Sequence, residues 1–282
     1  MQIYKQYNQE QLNLQYNIRL DVPDFETYLE KWKTLSRLAE NELHFIKDLA
    51  YGNLHRECLD VFPSGVAGSK TLLFIHGGYW QRFDKSLFHF IAGAFAKYDV
   101  TTVLMNYPLA PYATMDMIVA ACKKARHWLN DNLVRLNGDP NQLFIAGHSA
   151  GAHLAAMILA MEKNENSKHA IKGVCAISGL FNLMPVQLSD INDVIQMNKA
   201  MAVKNSPAFL RPPETGNLLL TVGGVETAEF KDQSNELYNN WKNKISSIEM
   251  LHLPRLHHFS IVDSIHDSNS LLHTAMRKLM NI

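Results

Sequence analysis

Short apolar runs alternate with amphipathic stretches along most of the chain. Runs of strand length lie at 56–62, 72–75, 100–107, 143–146, 172–178, 218–224 and 248–253. Helical periodicity or good helix formers occupy 85–97, 114–130, 152–160 and 260–280. Apolar strands that alternate with helices are typical of a parallel sheet that is buried on both faces. The pattern therefore predicts an α/β fold, with helices on both faces of a mostly parallel central sheet.

Two stretches depart from this alternation. Residues 1–50 are polar and have no strand-like run, and Asp24 precedes an amphipathic stretch that predicts a capped helix. Residues from about 179 to 213 form an insertion. It follows a strand, and its place above the C-terminal ends of the strands suggests a cap over a pocket. No repeat or linker divides the chain, so we predict one domain over 1–282, with a helical extension and a cap-like insertion. The sequence leaves open whether part of the extension packs into the core or covers the mouth of the pocket.

Composition narrows the classes of function. The 282 residues are 47% apolar and have a formal net charge of zero, which gives no indication of nucleic-acid or membrane binding. No run approaches membrane-spanning length and no signal-peptide pattern is present, so we expect a cytoplasmic protein that acts on a small molecule. The cysteines, Cys58, Cys122 and Cys175, are far apart, as expected of unpaired thiols in a reducing compartment. Whether the chain forms a homodimer is left open.

The histidines do not form the pattern of a metal site. There are 13 of them, and they are scattered. His252, His257 and His258 lie close together, but neither H-E-x-x-H nor a Cys/His ligand spacing is present. We therefore expect neither a metal nor a cofactor.

The sequence Gly-His-Ser-Ala-Gly at 147–151 matches the G-x-S-x-G pattern of a nucleophile elbow. It follows a predicted strand and precedes a predicted helix, which is the context that the pattern requires. Small residues on either side permit a strained turn, and a helix N-terminus favours developing negative charge. The motif predicts that Ser149 is a nucleophile.

An upstream strand ends in His-Gly-Gly-Tyr-Trp at 76–80. In α/β-hydrolases a loop of this kind supplies N–H groups to the oxyanion hole. Glycines let the backbone approach the substrate oxygen, and one such donor is worth roughly 2.7–4 kcal/mol of transition-state stabilisation. We predict an oxyanion hole that uses Gly77 or Gly78 together with Ala150. In this order, the two motifs indicate the α/β-hydrolase fold.

The catalytic acid is expected on a loop after a later strand, because in this fold the chain order is Ser, then Asp or Glu, then His. Glu226 lies on the loop that follows the run 218–224. Glu229 and Asp232 fall in a predicted helix, where a solvated face is the simpler role. We therefore predict Glu226 as the acid that orients the base.

The catalytic base is expected on the loop after the last strand, which carries His257 and His258. A helix that begins just after His258 would direct this side chain back into the site, so His258 is the predicted base. His148 and His153 are close to the serine in sequence but are expected to point away from the base and to pack or hydrogen-bond locally. His76 is expected to brace the oxyanion loop.

Several motifs together resemble the kynurenine formamidase (arylformamidase) family of tryptophan breakdown. They lie at 76–80, 147–153, 178–183 and 258–259, with further similarity at 16–19 and 51–52. The resemblance implies a serine hydrolase that converts N-formylkynurenine to kynurenine and formate without a cofactor. It also implies Ser149 as nucleophile, His258 as base and Glu226 as acid. The family usually has Asp at the acid position, so Glu226 departs from its pattern.

A second family shares one stretch of the chain. Carboxylesterases similar to hormone-sensitive lipase have a Tyr-x-Leu-Ala-Pro sequence, present here at 107–111. Those enzymes typically have a third glycine where Tyr79 stands and an acidic residue where His148 stands. The alternative function is therefore a carboxylesterase of the same fold that acts on short-chain or aryl esters. A binding protein without activity is disfavoured, because the serine, histidine and glycines are all present.

The aromatic residues after the glycine pair bear on the substrate. Tyr79 is predicted to narrow the acyl side of the site to about the size of a formyl group. Trp80 is predicted to contribute to an aromatic wall for the aryl leaving group. Trp80 could instead pack beneath the loop, and the sequence does not separate these two roles.

Overall fold

The predicted strands form one sheet in the part of the chain that the computed structural model describes, residues 1–20, 22–162 and 170–282. Within these ranges the sheet has eight strands: β1 (Ile46–Ala50), β2 (Cys58–Phe62), β3 (Ser69–Ile75), β4 (Val100–Met105), β5 (Gly138–His148), β6 (Ile171–Ile177), β7 (Asn217–Gly223) and β8 (Ser247–Leu253). Their order is β1-β2-β4-β3-β5-β6-β7-β8. Strands β3 to β8 pair in parallel, whereas β2 is antiparallel to both of its neighbours, β1 and β4.

Helices fill the connections between these strands. The described residues form α1 (Gln9–Tyr16), α2 (Phe25–Glu42), α3 (Phe90–Phe95), α4 (Met115–Asn132), α5 (Ala150–Met161), α6 (Met184–Gln187), α7 (Asn192–Ile195), α8 (Lys199–Lys204), α9 (Ala228–Trp241), α10 (Ser260–Asp263) and α11 (Leu271–Met280). The helices predicted at 85–97 and 260–280 are interrupted. The second interruption has a local cause, because Ser270 accepts a hydrogen bond from the backbone N–H of His273 (3.0 Å) and so caps a new helix.

Both faces of the sheet are buried, as alternate residues of β3 show. Leu73 and Ile75 belong to one hydrophobic core, and Leu72 and Phe74 belong to the other. Helices α4, α5 and α9 add apolar side chains to the first core, and α2, α3 and α11 add them to the second. The predicted class, a mostly parallel sheet with helices on both faces, is confirmed.

The N-terminal extension contains a strand that the sequence pattern did not predict. β1 is five residues long and lies at the edge of the sheet, paired only with β2. Three of its five residues are exposed, so it lacks the continuous apolar run that marks a central strand. The prediction that 1–50 has no strand was therefore wrong.

The helices of the extension pack against different parts of the fold. In α2, the buried ring of Trp32 stacks on Phe90 and Phe259, with centroids 6.0 and 6.2 Å away. α1 lies against α9, and in the last turn of α1 the carbonyl of Gln15 accepts a hydrogen bond from the hydroxyl of Thr227 (2.8 Å). The helix α1 thus ends close to the carboxyl edge of the sheet, where the predicted site residues are found.

The described residues contain neither a helix that is long and apolar enough to cross a membrane nor a group of side chains arranged to hold a metal ion.

The thiols of Cys58, Cys122 and Cys175 are free. Burial raises the pKa of Cys122 and of Cys175 above the usual value for a thiol. These two cysteines are therefore packing residues and are poor nucleophiles.

Candidate active site

Ser149 occupies a sharp turn between β5 and α5. Its φ and ψ angles are 57° and −121°, outside the regions that non-glycine residues usually adopt. Ser149 is 2% exposed, and its backbone N–H donates to the carbonyl of Ile177 (2.8 Å) at the end of β6. It immediately precedes α5, whose N-terminal dipole favours negative charge. The strand, the strained serine and the helix together have the geometry of a nucleophile elbow.

Glycine is required on both sides of Ser149. A Cβ atom on Gly151 would lie 2.0 Å from the carbonyl oxygen of Ile75. One on Gly147 would lie 2.2 Å from the carbonyl oxygen of Gly151. Both distances are far shorter than real Cβ contacts, so α5 begins in direct backbone contact with the end of β3.

The loop after β3 packs against the elbow. A Cβ atom on Gly77 would lie 2.9 Å from the carbonyl oxygen of His148 and 3.0 Å from Cβ of Ser149. Gly78 has a φ of +100°, a left-handed conformation that glycine adopts at little cost. The structure thus places Gly77 against Ser149, and Gly78 lines the same cavity as the serine.

Glu226 and His258 form a buried hydrogen bond. Nδ1 of His258 lies 2.7 Å from Oε2 of Glu226, and the two residues are 3% and 6% exposed. The other carboxylate oxygen, Oε1, accepts from the hydroxyl of Ser178 (2.5 Å) and the backbone N–H of Gly223 (2.7 Å). These donors satisfy a carboxylate that would otherwise be costly to bury.

Sequence reasoning missed Ser178. This residue is fully buried, follows β6 directly and has a φ of 50°. Its hydroxyl supports the acid rather than the nucleophile, so no nucleophile motif marks it. The sequence does give one indication of its role. Ser178 is a small polar residue at the carboxyl end of β6, the strand next to β5, and Ser149 follows β5.

Nε2 of His258 is buried and has no hydrogen-bond partner among the described residues. His258 and Ser149 line the same cavity, although no hydrogen bond joins their side chains in the described structure. Catalytic hydrogen bonds are often loose before a substrate binds and tighten in the complex. Since Nδ1 bonds to Glu226, Nε2 is the ring nitrogen of His258 that is left without a partner among the described residues.

His148 contacts the ring of His258, and the expectation that it points away was wrong. The two ring centroids are 4.4 Å apart, and His148 also lines the cavity. Burial, and then the neighbouring His258, hold the pKa of His148 well below its usual value, so the ring is neutral. The sequence places His148 beside the serine but does not show that the loop carrying His258 folds over it. The neutral ring of His148 thus packs against His258.

The cavity beside Ser149 has a volume of about 600 Å³, in the range of small-molecule sites. The elbow, the oxyanion loop and the loop of His258 form one part of its wall. The rest comes mainly from the N-terminal segment and the insertion after β6: Tyr16, Asn17, Ile18, Arg19, Asp190, Ile191, Asp193 and Val194. Both stretches that interrupt the strand–helix alternation therefore enclose this cavity.

Tyr79 lines the cavity and connects the oxyanion loop to the N-terminal segment. Its hydroxyl donates to the carbonyl oxygen of Tyr16 (2.7 Å). Burial raises the pKa of Tyr79 well above its usual value, so the hydroxyl stays protonated and remains a donor. Tyr79 therefore holds a wall of the cavity in place as well as forming part of it.

Trp80 lies beneath the loop and outside the cavity, which corrects its predicted role in substrate binding. It is 0% exposed, and its Nε1 donates to Nδ1 of His153 (3.2 Å). Nε2 of His153 in turn bonds to the carbonyl of Asn205 (2.7 Å), and burial lowers the pKa of His153 to about 4. Tyr79 and Trp80 both have positive φ angles, and this turn sends one ring to the cavity and the next into the core.

The other candidate acids and bases have different partners. Glu229 and Asp232 both bind the ammonium group of Lys5, at 2.9 and 2.8 Å. Nε2 of His257 hydrogen-bonds to a tyrosine hydroxyl on α2 (3.2 Å). None of these three side chains is among the residues that line the cavity of Ser149.

Comparison with known proteins agrees with this geometry. Residues 72–213 match a family model described as the alpha/beta hydrolase fold. Kynurenine formamidases of Danio rerio and Salmo salar are 28% and 27% identical to the chain, each over 99% of both sequences. A solved structure from Silicibacter sp. TM1040, provisionally assigned as a thioesterase, is similar with a TM-score of 0.83 and 25% identity, covering 93% of this chain and 97% of that one. The resemblance to kynurenine formamidases is thus confirmed over the whole chain.

Gly151→Ala is expected to destabilise the protein because its Cβ would collide with the carbonyl of Ile75. Overpacking of this kind costs roughly 1–3 kcal/mol in the free energy of unfolding. Gly65→Ala is the matched control, since a Cβ on Gly65 meets nothing within 4 Å. Denaturant unfolding of the two variants tests the prediction, and equal stabilities would contradict it.

Tyr79→Phe is expected to loosen the N-terminal segment, because it removes the hydrogen bond to the carbonyl of Tyr16. Such a bond contributes about 0.5–1.5 kcal/mol. Limited proteolysis should cleave the variant faster than the wild type within residues 1–20. Tyr112→Phe is the control, since Tyr112 is 93% exposed. Cleavage of Tyr79→Phe at the wild-type rate would show that this bond does not hold the segment.

Proposed function

Because the chain belongs to the family with the alpha/beta hydrolase fold, we propose that it is a serine hydrolase that removes a formyl group from an aryl amide. The proposed substrate is N-formylkynurenine, and the products are kynurenine and formate. One observation carries the proposal: Ser149, His258 and Gly78 line a single cavity in a chain similar to kynurenine formamidases over its whole length.

The first step acylates the serine. Nε2 of His258 takes the proton of Ser149 as Oγ bonds to the formyl carbon. The backbone N–H groups of Gly77 or Gly78 and of Ala150 stabilise the resulting oxyanion. His258 then gives its proton to the amide nitrogen, the C–N bond breaks, and the aryl amine leaves. The close packing of the glycine loop on the elbow supports this assignment.

The second step releases formate. A water molecule enters the space left by the amine and attacks the formyl ester carbon, and His258 takes the proton of that water. The bond from carbon to Oγ of Ser149 breaks as His258 returns the proton to Oγ. No step requires a metal or an added cofactor, and the serine and histidine finish as they began.

Glu226 completes the proposed triad. Its hydrogen bond to Nδ1 of His258 selects the tautomer with a free Nε2 and stabilises the imidazolium that forms in each step. Glu226 is itself held by Ser178 and Gly223, so the acid cannot rotate freely. The longer side chain of Glu reaches the histidine in place of the Asp that is usual in the family.

Tyr79 remains the proposed limit on the size of the acyl group. It follows the glycine pair directly and lines the cavity that contains Ser149. Its hydrogen bond to Tyr16 restricts the ring from swinging aside to admit a longer acyl chain. A formyl group, the smallest acyl group, fits such a site best.

A second candidate is an esterase of the same architecture. The Tyr-x-Leu-Ala-Pro stretch at 107–111 and the similarity to a protein assigned as a thioesterase favour it. The same triad and oxyanion hole serve acyl transfer from esters, thioesters and amides. The catalytic groups therefore do not distinguish a formamidase from an esterase. A comparison of kcat/KM for the two kinds of substrate does.

Glu226→Gln is expected to lower kcat by about 10⁴-fold, as loss of the acid charge does in a comparable triad. Glu249→Gln is the matched control, because Glu249 is an exposed residue of β8 outside the cavity. Ser178→Ala should lower kcat by less, since two of the three donors to Glu226 remain. Wild-type kcat in Glu226→Gln would remove Glu226 from the triad.

The function is tested by kcat/KM for N-formyl-L-kynurenine, phenyl acetate and phenyl butyrate. We expect the formamide to reach about 10⁴ M⁻¹s⁻¹ or more. Ser149→Ala should abolish turnover and labelling by a fluorophosphonate, and acetate should react faster than butyrate. If only the esters react, the protein is an esterase. If butyrate reacts faster, Tyr79 does not limit the acyl group.

A further inference from the structure

Four charged side chains line the cavity of Ser149 without taking part in the proposed chemistry. They are Arg19, Arg82, Asp190 and Asp193. All four are solvent-exposed, so they stand where the cavity meets water. Two positive and two negative groups at one opening are more than an uncharged substrate requires.

Arg19 and Arg82 form a positively charged site at the cavity. The guanidinium of Arg19 stacks on the ring of Phe25 (4.6 Å), which packs on Phe259 (5.7 Å), the residue after the proposed base. Partial burial, and then the charge of Arg82, lower the pKa of Arg19, with some compensation from Glu26. Neither arginine has an ion-pair partner among the described residues. Two neighbouring cations without a counterion favour the binding of an anion.

Arg82 is fixed close to the proposed oxyanion hole. Its backbone N–H donates to the carbonyl of Gly78 (3.1 Å). A Cβ atom on Gly78 would lie 2.5 Å from the carbonyl oxygen of Arg82, so the two residues are in direct backbone contact. The loop that presents the oxyanion glycine therefore also carries a cation to the same cavity.

The two aspartates lie on the insertion, which is fastened to the rest of the cavity wall. The side chain of Gln81 donates to the carbonyl of Ile191 (3.2 Å). The backbone N–H of Asp190 donates to the side-chain oxygen of Asn13 (3.1 Å). In the described part of the chain, neither Asp190 nor Asp193 has a cation within ion-pair distance. This side of the cavity therefore favours a positively charged group.

We propose that Arg19 and Arg82 bind the carboxylate, and Asp190 and Asp193 the ammonium, of the α-amino acid that the leaving aryl amine carries. The inference rests on the proposed function and adds the groups that select the substrate. An α-amino acid has both charges on one carbon, and a mixed-sign site recognises both. A neutral aryl formamide or ester has neither charge and gains nothing from these residues.

The test compares N-formyl-L-kynurenine with ortho-formamidoacetophenone, which keeps the aryl formamide and the ketone but lacks the amino acid. The wild type should prefer the first substrate. In Arg19→Gln, Arg82→Gln, Asp190→Asn and Asp193→Asn, the ratio of the two kcat/KM values should fall about tenfold each, as loss of a charged contact predicts. Arg82→Lys should retain part of the ratio, because it keeps the charge.

Arg37→Gln and Asp131→Asn are the matched controls, since both residues are exposed and neither lines the cavity. They should keep the wild-type ratio. If the cavity variants also keep it, or if the wild type does not distinguish the two formamides, the amino-acid site is excluded and the formamidase proposal stands. If neither formamide is hydrolysed while phenyl acetate is, the proposed function fails and this inference fails with it.

Discussion

The site depends on a close backbone contact between the start of α5 and the end of β3. At Gly151 the helix lies against the carbonyl of Ile75, in a space that no other residue type fits. Ser149 stands two residues before this contact on one chain segment, and Gly77 stands two residues beyond it on the other. Because Gly151 has no side chain, α5 can approach β3 closely enough to bring the strained serine next to the oxyanion loop. Any shift of the helix away from the strand would separate the proposed nucleophile from the N–H groups proposed to stabilise the oxyanion.

The proposed acid and base, Glu226 and His258, depend on a second constraint, the parallel order of β6, β7 and β8. Because parallel strands end at the same edge of the sheet, the residues after them become neighbours although they are far apart in sequence. Ser178 follows β6, Glu226 follows β7, and His258 follows β8. One buried carboxylate links these three loops through its hydrogen bonds. Through this carboxylate, the sheet restrains the orientation of His258.

Local patterns were enough to predict the fold class and the elbow, since both depend on residues that are close together in sequence. Glu226 and His258 followed from chain order, and the structure places them in contact. The failures at His148, Trp80 and β1 each concern a neighbour that only the folded chain supplies. The ring of His148 meets a loop from the other end of the molecule. Trp80 is turned inward by two positive φ angles, and β1 needs a partner strand rather than an apolar run.

The groups proposed for catalysis and those proposed for substrate selection lie mostly in different parts of the chain. The proposed catalytic groups lie on turns at the ends of strands, where the sheet fixes them, and they would treat an ester and a formamide alike. Of the charged groups at the cavity mouth, only Arg82 shares a loop with the proposed catalytic groups, and the other three lie on the N-terminal segment and the insertion. In the free protein, exposed like charges repel only weakly, so leaving Arg19 beside Arg82 costs little. A ligand with a matching carboxylate relieves that repulsion, and a neutral ester does not. On the proposed assignment, the cavity mouth therefore distinguishes substrates that the proposed triad treats alike.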